Sequence, residues 1–196
     1  MNGRLIGLAA IASLAACSGS PTTQENGSAA ANEAGDNSMA SVAMNSSMTP
    51  PVQNAPSDAT SYLAKAGAGD LFEIESSKAV LAKTSTGDIK MFAQMMIDHH
   101  TKSTEKLKAA AKADGVPVSP PALDPLQQSM LDEIKAASAD KIDEVYKADQ
   151  SKAHAAALAL HRGYAALGDQ PAIKKAASEI VPVVQTHIEA LAKLPG

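Results

Sequence analysis

The sequence predicts an all-α protein whose folded part is an up-and-down four-helix bundle with a short extra helix before the third long helix. From Ala59 to Gly196 the chain is rich in alanine, lysine and glutamate, and only 3% of the whole chain is aromatic. Glycine and proline divide this part into four long segments, with no β-branched run bounded by glycine. The fourth segment carries apolar residues in alternating steps of four and three, as bundle helices do.

Glycine and proline mark the ends of the predicted helices. Gly115 ends the second long helix, and the prolines that follow it exclude helix until Leu123. Gly168 ends the third long helix, and Pro171 stands in the first turn of the fourth, where proline is tolerated. The expected segments are Ser57 or Asp58 to Thr84, Gly87 to Ala113, a short helix from Asp124 to Ala137, Asp140 to Leu167, and Pro171 to the residue before Pro195.

The first 16 residues have the layout of an export signal. Arg4 is followed by an apolar stretch from Leu5 to Leu14, which is shorter than the ~20 residues of a membrane span. The tetrapeptide Leu14-Ala15-Ala16-Cys17 resembles the lipobox of bacterial lipoproteins, whose cysteine is acylated and becomes the first mature residue. We therefore expect residues 1–16 to be a signal peptide and Cys17 to be lipidated. A cleaved signal followed by an incidental cysteine is the alternative.

The predicted location is the cell envelope. Ser18 follows the cysteine where an aspartate would resemble inner-membrane sorting, so we expect the outer membrane, facing the periplasm. Residues 17–58 contain no lysine or arginine and show no helical or strand periodicity. Since they carry too little apolar surface to offset the entropy lost on folding, they are predicted to be a disordered tether. Residues 59–196 are predicted to form one domain.

The charges of the predicted domain nearly cancel. Of the 17 basic residues of the chain only Arg4 precedes Ala59, and of the 21 acidic residues four do. Because no basic face arises, we expect no nucleic-acid partner. The expected partners are the membrane, through lipid on Cys17, and an envelope protein.

Two histidines lie on apolar stripes of the predicted helices. In the second long helix His99 shares a stripe with Ile89, Phe92 and Met96. His187 lies on the apolar stripe of the fourth long helix. Both His99 and His187 are expected to point inward. The stripe of that fourth helix consists of Ile173, Ala177, Ile180, Val184, His187, Leu191 and Leu194.

Glu75 and His154 are the candidates on the two remaining helices. Glu75 shares a face of the first helix with Phe72 and Ala79, whereas Glu73 shares one with small and polar residues. Glu75 is therefore expected to be the buried carboxylate. His154 lies on a stripe beside the main apolar stripe of its helix. The sequence leaves open whether His154 points into the core or lies at its edge.

Five short motifs together resemble a known bacterial family, domain of unknown function 4142, over essentially all of residues 59–194. The resemblance implies an exported protein, often a lipoprotein, with a ferritin-like bundle and no established activity. The chain departs from the family at Ala153, where many members have an aspartate before the histidine. The motifs are Phe72-Glu73-Ile74-Glu75, Met95-Met96-Ile97-Asp98-His99, Gly115-Val116-Pro117, Tyr146 with His154 eight residues later, and Val181-Pro182 followed by His187.

The ferritin-like fold that this resemblance implies raises the question of a metal site. A di-iron centre needs a Glu-x-x-His pair on each of two helices. Met96 stands three residues before His99, and Val184 stands three before His187, so the di-iron pattern is absent from these helices. One candidate ligand per helix remains, and the four could hold a single divalent zinc, copper or iron ion. They are Glu75, His99, His154 and His187.

Two other interpretations of these residues stay open. The histidines could hydrogen-bond facing polar groups and lock the helix register. A softer copper site is the other, since a Met-Met-x-x-His-His cluster resembles a motif of a second ferritin-like envelope family, domain of unknown function 305. The residues concerned are Met95, Met96, His99 and His100, with Met39, Met44 and Met48 in the tether. The bland alternative is that Met96 only fills the core.

No catalytic residue and no organic cofactor are predicted. The sequence has no Gly-x-Ser-x-Gly turn and no glycine-rich phosphate loop, and its single cysteine is assigned to the lipid. The leading hypothesis is a lipid-anchored envelope protein with a structural or interaction role, connected with envelope stress. The runner-up is metal binding by inward-facing histidines.

The lipid anchor can be tested by metabolic labelling with palmitate. The wild-type protein should incorporate the label and fractionate with membranes, and Cys17→Ser should lose both properties because the acylated sulfur is gone. Equal labelling of the two proteins would contradict the lipoprotein assignment.

Overall fold

The computed structural model describes residues 55–84 and 86–195. Within these ranges the chain forms no strand and five α-helices: α1 Ala59–Leu81, α2 Gly87–Ala113, α3 Pro125–Ala136, α4 Ile142–Leu167 and α5 Pro171–Leu191. The all-α class and the short extra helix are thereby confirmed. The predicted signal peptide, Cys17 and the tether up to residue 54 lie outside the described residues. None of the described helices is long and apolar enough to cross a bilayer.

The four long helices form two antiparallel hairpins. α1 packs on α2 and α4 packs on α5, and the hairpins meet through α1 against α4 and α2 against α5. α2 and α4 run in the same direction, because each begins in one apolar cluster and ends in another. The chain therefore needs a long connection between α2 and α4. The predicted up-and-down order, in which each long helix reverses the direction of the one before it, does not hold for this pair. α3 lies in that connection and packs against α1 and α4.

Local sequence explains where this long connection begins and where α3 begins. Gly115 has a φ of 68°, and Val116 N–H donates to the Ala111 carbonyl at 2.9 Å, which is the closing bond of a Schellman motif. Asp124 caps α3 by accepting a hydrogen bond from Gln127 N–H at 2.8 Å, and the Gln127 side chain accepts one from Asp124 N–H at 3.0 Å. This capping box satisfies two backbone donors at the start of a short helix.

The core is divided into two apolar clusters with buried polar residues between them. The first cluster contains Tyr62, Leu107, Tyr164, Ile173 and Val184, and the second contains Phe72, Phe92, Ile134, Tyr146 and Leu191. On each long helix a buried polar residue stands at the boundary of the two clusters. We call these residues the polar layer, and they are Asp70, Glu73, His100, His154 and His187.

The end of α2 offers a stability test with a matched glycine pair. Gly115→Ala should lower the free energy of unfolding by about 1 kcal/mol, because a side chain disfavours the left-handed backbone at φ 68°. Gly69→Ala should raise it by about 1 kcal/mol, since Gly69 is inside α1 and its added Cβ meets no atom within 4 Å. Urea denaturation measures both, and changes of the same sign would contradict the assigned end of α2.

Candidate metal centre

Three buried histidines come together at the centre of the bundle. His100 of α2, His154 of α4 and His187 of α5 have exposed fractions of 6%, 0% and 1%. With one ring nitrogen taken from each, the three atoms lie within 4.8 Å of one another. A tetrahedral ion with metal–nitrogen bonds of about 2.0–2.1 Å needs its ligand atoms about 3.3 Å apart. Small side-chain shifts would therefore let one ion contact all three rings.

The apolar periodicity of each helix brings these rings inward. His187 stands three residues after Val184 and four before Leu191, and all three residues are buried on α5. The prediction that His187 lies within the buried stripe is thus confirmed. His100 stands four residues after Met96 and seven before Leu107, and these are also buried. His100 and His187 thus occupy positions within the buried stripes of their helices, where the other positions are mostly apolar.

One nitrogen of each ring, which we call the outer nitrogen, is hydrogen-bonded to another group of the protein. His100 Nδ1 lies 2.8 Å from Asp70 Oδ1, and His187 Nε2 lies 2.8 Å from His99 Nδ1. His154 Nδ1 lies 2.9 Å from the Gln150 carbonyl oxygen, which can only accept, so His154 Nδ1 carries the proton. Metal-binding histidines show this arrangement, in which a carboxylate or carbonyl orients the ring through the nitrogen that does not bind the ion.

The remaining nitrogens face one another. His154 Nε2 lies 3.3 Å from His187 Nδ1, and His154 Nε2 must accept because its other nitrogen is protonated. His187 Nδ1–H is therefore the donor of this bond. His100 Nε2 is buried and has no hydrogen-bond partner among the described residues. A buried polar atom without a partner costs about 1–3 kcal/mol, which marks the site as one that a ligand would stabilise.

Two buried carboxylates of α1 lie beside the histidines. Asp70 accepts from His100 through Oδ1 and from Thr104 Oγ1 at 2.9 Å through Oδ2. Glu73 is 3% exposed, and its Oε1 lies 3.4 Å from His154 Nδ1. Glu73 Oε2 is buried without a partner in the described ranges. Both oxygens of Asp70 are thus hydrogen-bonded, one to His100 and one to Thr104, whereas one oxygen of Glu73 has no donor.

The surroundings shift the pKa values of adjacent rings in opposite directions. Burial opposes protonation of His100, but the hydrogen bond to Asp70 and the charges of Glu73 and Asp70 outweigh it and raise the pKa of His100. Burial lowers the pKa of His187 to about 2, and the neighbouring His100 and His154 act in the same direction. His187 is therefore neutral near pH 7, which is the form that coordinates a metal.

The sequence model of a domain of unknown function, DUF4142, matches residues 43–194. The chain belongs to the DUF4142 family. The search of curated proteins and the search of solved structures found no match. The three histidines and both carboxylates of the polar layer lie inside the matched residues.

In this DUF4142 chain Glu75 does not join the centre. The side chain of Glu75 is 37% exposed and pairs with Lys78 at 2.9 Å. The prediction that Glu75 is the buried carboxylate is therefore wrong, and Glu73 is buried instead. The prediction followed apolar residues, but the face of α1 that meets the polar layer is itself polar, with Asp70, Glu73 and Ser77 at helical spacing.

Of the adjacent histidines of α2, the second rather than the first lies at the common point. His99 is half-buried at the edge, where its ring stacks on His187 with centroids 5.1 Å apart. His100 is buried and supplies the ring nitrogen close to those of His154 and His187. The predicted residues His154 and His187 are brought together, and His99 contacts the group from outside.

The sequence did not single out Asp70 or Glu73, and it offered His100 only as part of the alternative copper cluster with Met95, Met96 and His99. The available signal was spacing, because Asp70 and Glu73 are one helical turn apart and His100 is seven residues before Leu107. Because Glu73 shares a face with small and polar residues, Glu75 was predicted to be the buried carboxylate instead. Burial of several polar groups together is possible only when partners on other helices satisfy them.

Other residues singled out in the sequence have structural surroundings. Met96 is fully buried in the second apolar cluster, where it fills the core, and Met95 packs beside it. Met39, Met44 and Met48 lie outside the described residues. His161 is buried but is not one of the three converging histidines, and its Nδ1 lies 2.8 Å from Tyr62 Oη.

His161 provides a test of buried titration. Burial lowers its pKa from 6.5 to about 4. The unfolded chain therefore binds this proton below about pH 6.5 while the folded chain does not, so stability is present above that pH and is lost as pH falls toward 4. Between pH 7 and 5, His161→Gln should reduce the loss in free energy of unfolding by about 2 kcal/mol relative to wild type.

The control is Tyr62→Phe, which removes the hydrogen bond and leaves the ring buried. Since burial is the main cause of the shift, this variant should keep the wild-type pH dependence. Urea denaturation at the two pH values measures each difference. A pH dependence that His161→Gln leaves unchanged would contradict the buried neutral state.

Proposed function

We propose that this protein holds one transition-metal ion at the centre of its bundle through His100, His154 and His187. The observation that carries the proposal is the pairing of roles in each ring. One nitrogen is held by Asp70, by a backbone carbonyl or by His99, and the other is turned toward a common point. Three imidazoles with a fourth position left for water or a carboxylate form a ligand set of zinc, and copper and iron also accept imidazole.

The simpler alternative is that the histidines only lock the register of the helices. That interpretation accounts for the outer hydrogen bonds and for the contact between His154 and His187. It leaves His100 Nε2 buried without a partner. An ion would use that atom and would replace the proton of His187 Nδ1, so that His187 Nε2–H donates to His99. The metal proposal therefore uses every polar atom of the group.

The wider setting of the site is also a proposal. A four-helix bundle with one long crossover connection is the connectivity of ferritin-like folds, which supports the ferritin-like prediction. A lipid on Cys17 would hold the domain at the outer membrane, facing the periplasm. We propose no reaction for the site. A structural or interaction role in the envelope is the function that remains if no ion binds.

The experiment is metal titration of the full chain, purified without a histidine tag and treated with a chelator. A stoichiometric amount of zinc should raise the melting temperature, because an ion bound only to the folded state stabilises it by about 2.7 kcal/mol at a hundredfold excess over Kd. His187→Gln and His100→Gln should abolish the rise. Elemental analysis of untreated protein identifies the ion that is bound on purification.

Two matched substitutions serve as controls. His161→Gln changes a buried histidine outside the group and should keep the zinc response, and Glu75→Gln should keep it as well. His99→Gln should weaken binding by about 10- to 100-fold without abolishing it, since His99 only orients His187. A melting temperature that zinc, copper and iron all leave unchanged at large excess would refute the metal proposal.

A further inference from the structure

A cleft is lined by residues of α1 and α4 and by the start of α3. Its volume is about 890 Å³, which lies in the range of about 300–1,000 Å³ of small-molecule sites. One wall is formed by the start of α3, at Asp124, Leu126 and Gln127. The inner end reaches the polar layer at Asp70, Glu73 and His100.

Small side chains keep the cleft open. The walls that α1 and α4 contribute are built mainly of alanine, at Ala64, Ala68, Ala153, Ala156 and Ala157. An alanine side chain is a single methyl group, so it leaves more space unfilled at this surface than a larger side chain would. The deeper core nearby is filled by aromatic residues such as Phe72 and Tyr62. The cleft is therefore a channel with apolar sides and a charged inner end.

Two residues at that inner end have a buried polar atom without a partner among the described residues, His100 and Glu73, and Glu73 is the carboxylate of the two. It lines the cleft, it is 3% exposed, and its Oε2 has no hydrogen-bond partner in the described part of the chain. Asp70 does not share this property, because His100 and Thr104 occupy its two oxygens. A buried carboxylate oxygen is stabilised by a charged hydrogen-bond donor. The inner end of the cleft thus has a buried carboxylate oxygen that lacks a donor.

The charges around the cleft favour a cation at this acceptor. Asp70 and Glu73 carry two negative charges at the inner end, against at most one positive charge on His100. At the mouth, Lys152 is paired with Asp149 at 2.9 Å, and the other charged groups are Lys65 and Asp124, which offset each other. An anionic ligand would place its charge against Glu73.

We propose that the cleft binds a primary alkylammonium ion, with its ammonium group at Glu73 Oε2 and its alkyl chain along the alanine walls. The ammonium group supplies the missing donor and neutralises the excess negative charge. The alkyl chain is stabilised by each methylene that the alanine walls remove from water. The site does not depend on the metal, since Glu73 is not among the three groups that converge on the proposed ion.

The test is calorimetric titration of the full chain with hexylamine, with the protein kept free of metal by a chelator. Hexylamine should bind, and hexan-1-ol and hexanoate of the same chain length should bind at least tenfold more weakly. Glu73→Gln should weaken hexylamine binding at least tenfold. Glu75→Gln removes the same charge two residues away on the exposed face and should leave the affinity unchanged.

A second variant keeps the proposal falsifiable if Glu73→Gln fails to fold. Ala156→Leu adds a side chain at an exposed position of the cleft wall and should weaken hexylamine binding without loss of helix. Absence of hexylamine binding, equal binding of hexan-1-ol, or stronger binding of hexanoate would each overturn the proposal. Zinc binding to His100, His154 and His187 is measured in a separate titration. A negative result in one titration therefore does not decide the other proposal.

Discussion

The requirement that buried polar groups be paired governs the centre of this bundle. Asp70 of α1 binds both His100 and Thr104 of α2, and Gln150 of α4 donates to Ser76 of α1 at 3.2 Å. Each of these bonds forms only at one axial offset of the helices, because a slip by one residue would turn the partners away. Apolar contacts alone are non-directional and would tolerate several offsets. The polar layer therefore selects one arrangement from those that the two apolar clusters would accept.

The same layer concentrates opposite chemistries on different helices. α1 contributes carboxylates, and the three other long helices contribute histidines, so acid and base meet only when the bundle assembles. Asp70 and Glu73 raise the pKa of His100, whereas burial lowers that of His187. Neighbouring rings thus differ in their preference for a proton, although the residue type is the same. A fully satisfied layer would be inert, but here His100 Nε2 and Glu73 Oε2 are unpaired among the described residues.

These two atoms belong to different surroundings, which is why they support different proposals. His100 Nε2 belongs to a ring that converges with two others, where imidazole nitrogens favour a transition metal. Glu73 Oε2 belongs to a residue that lines a cleft with apolar walls, where a hard oxygen favours a charged donor. The DUF4142 chain buries histidines and carboxylates together at the centre of its bundle, but its sequence has no Glu-x-x-His pair of a di-iron centre. Its chemistry must therefore be derived from its own residues.

The sequence by itself determined the five helices, the ends marked by glycine and proline, and the depth of His187, because these signals act locally. It also excluded the di-iron pattern, since that pattern is a spacing within single helices. Only the tertiary structure decided between His99 and His100 and between Glu73 and Glu75. Neighbouring helix positions differ by about 100° and a buried stripe is about that wide, so either member of a close pair can face inward. The choice is made by partners on other helices, such as Asp70 for His100, and these are brought near only by folding.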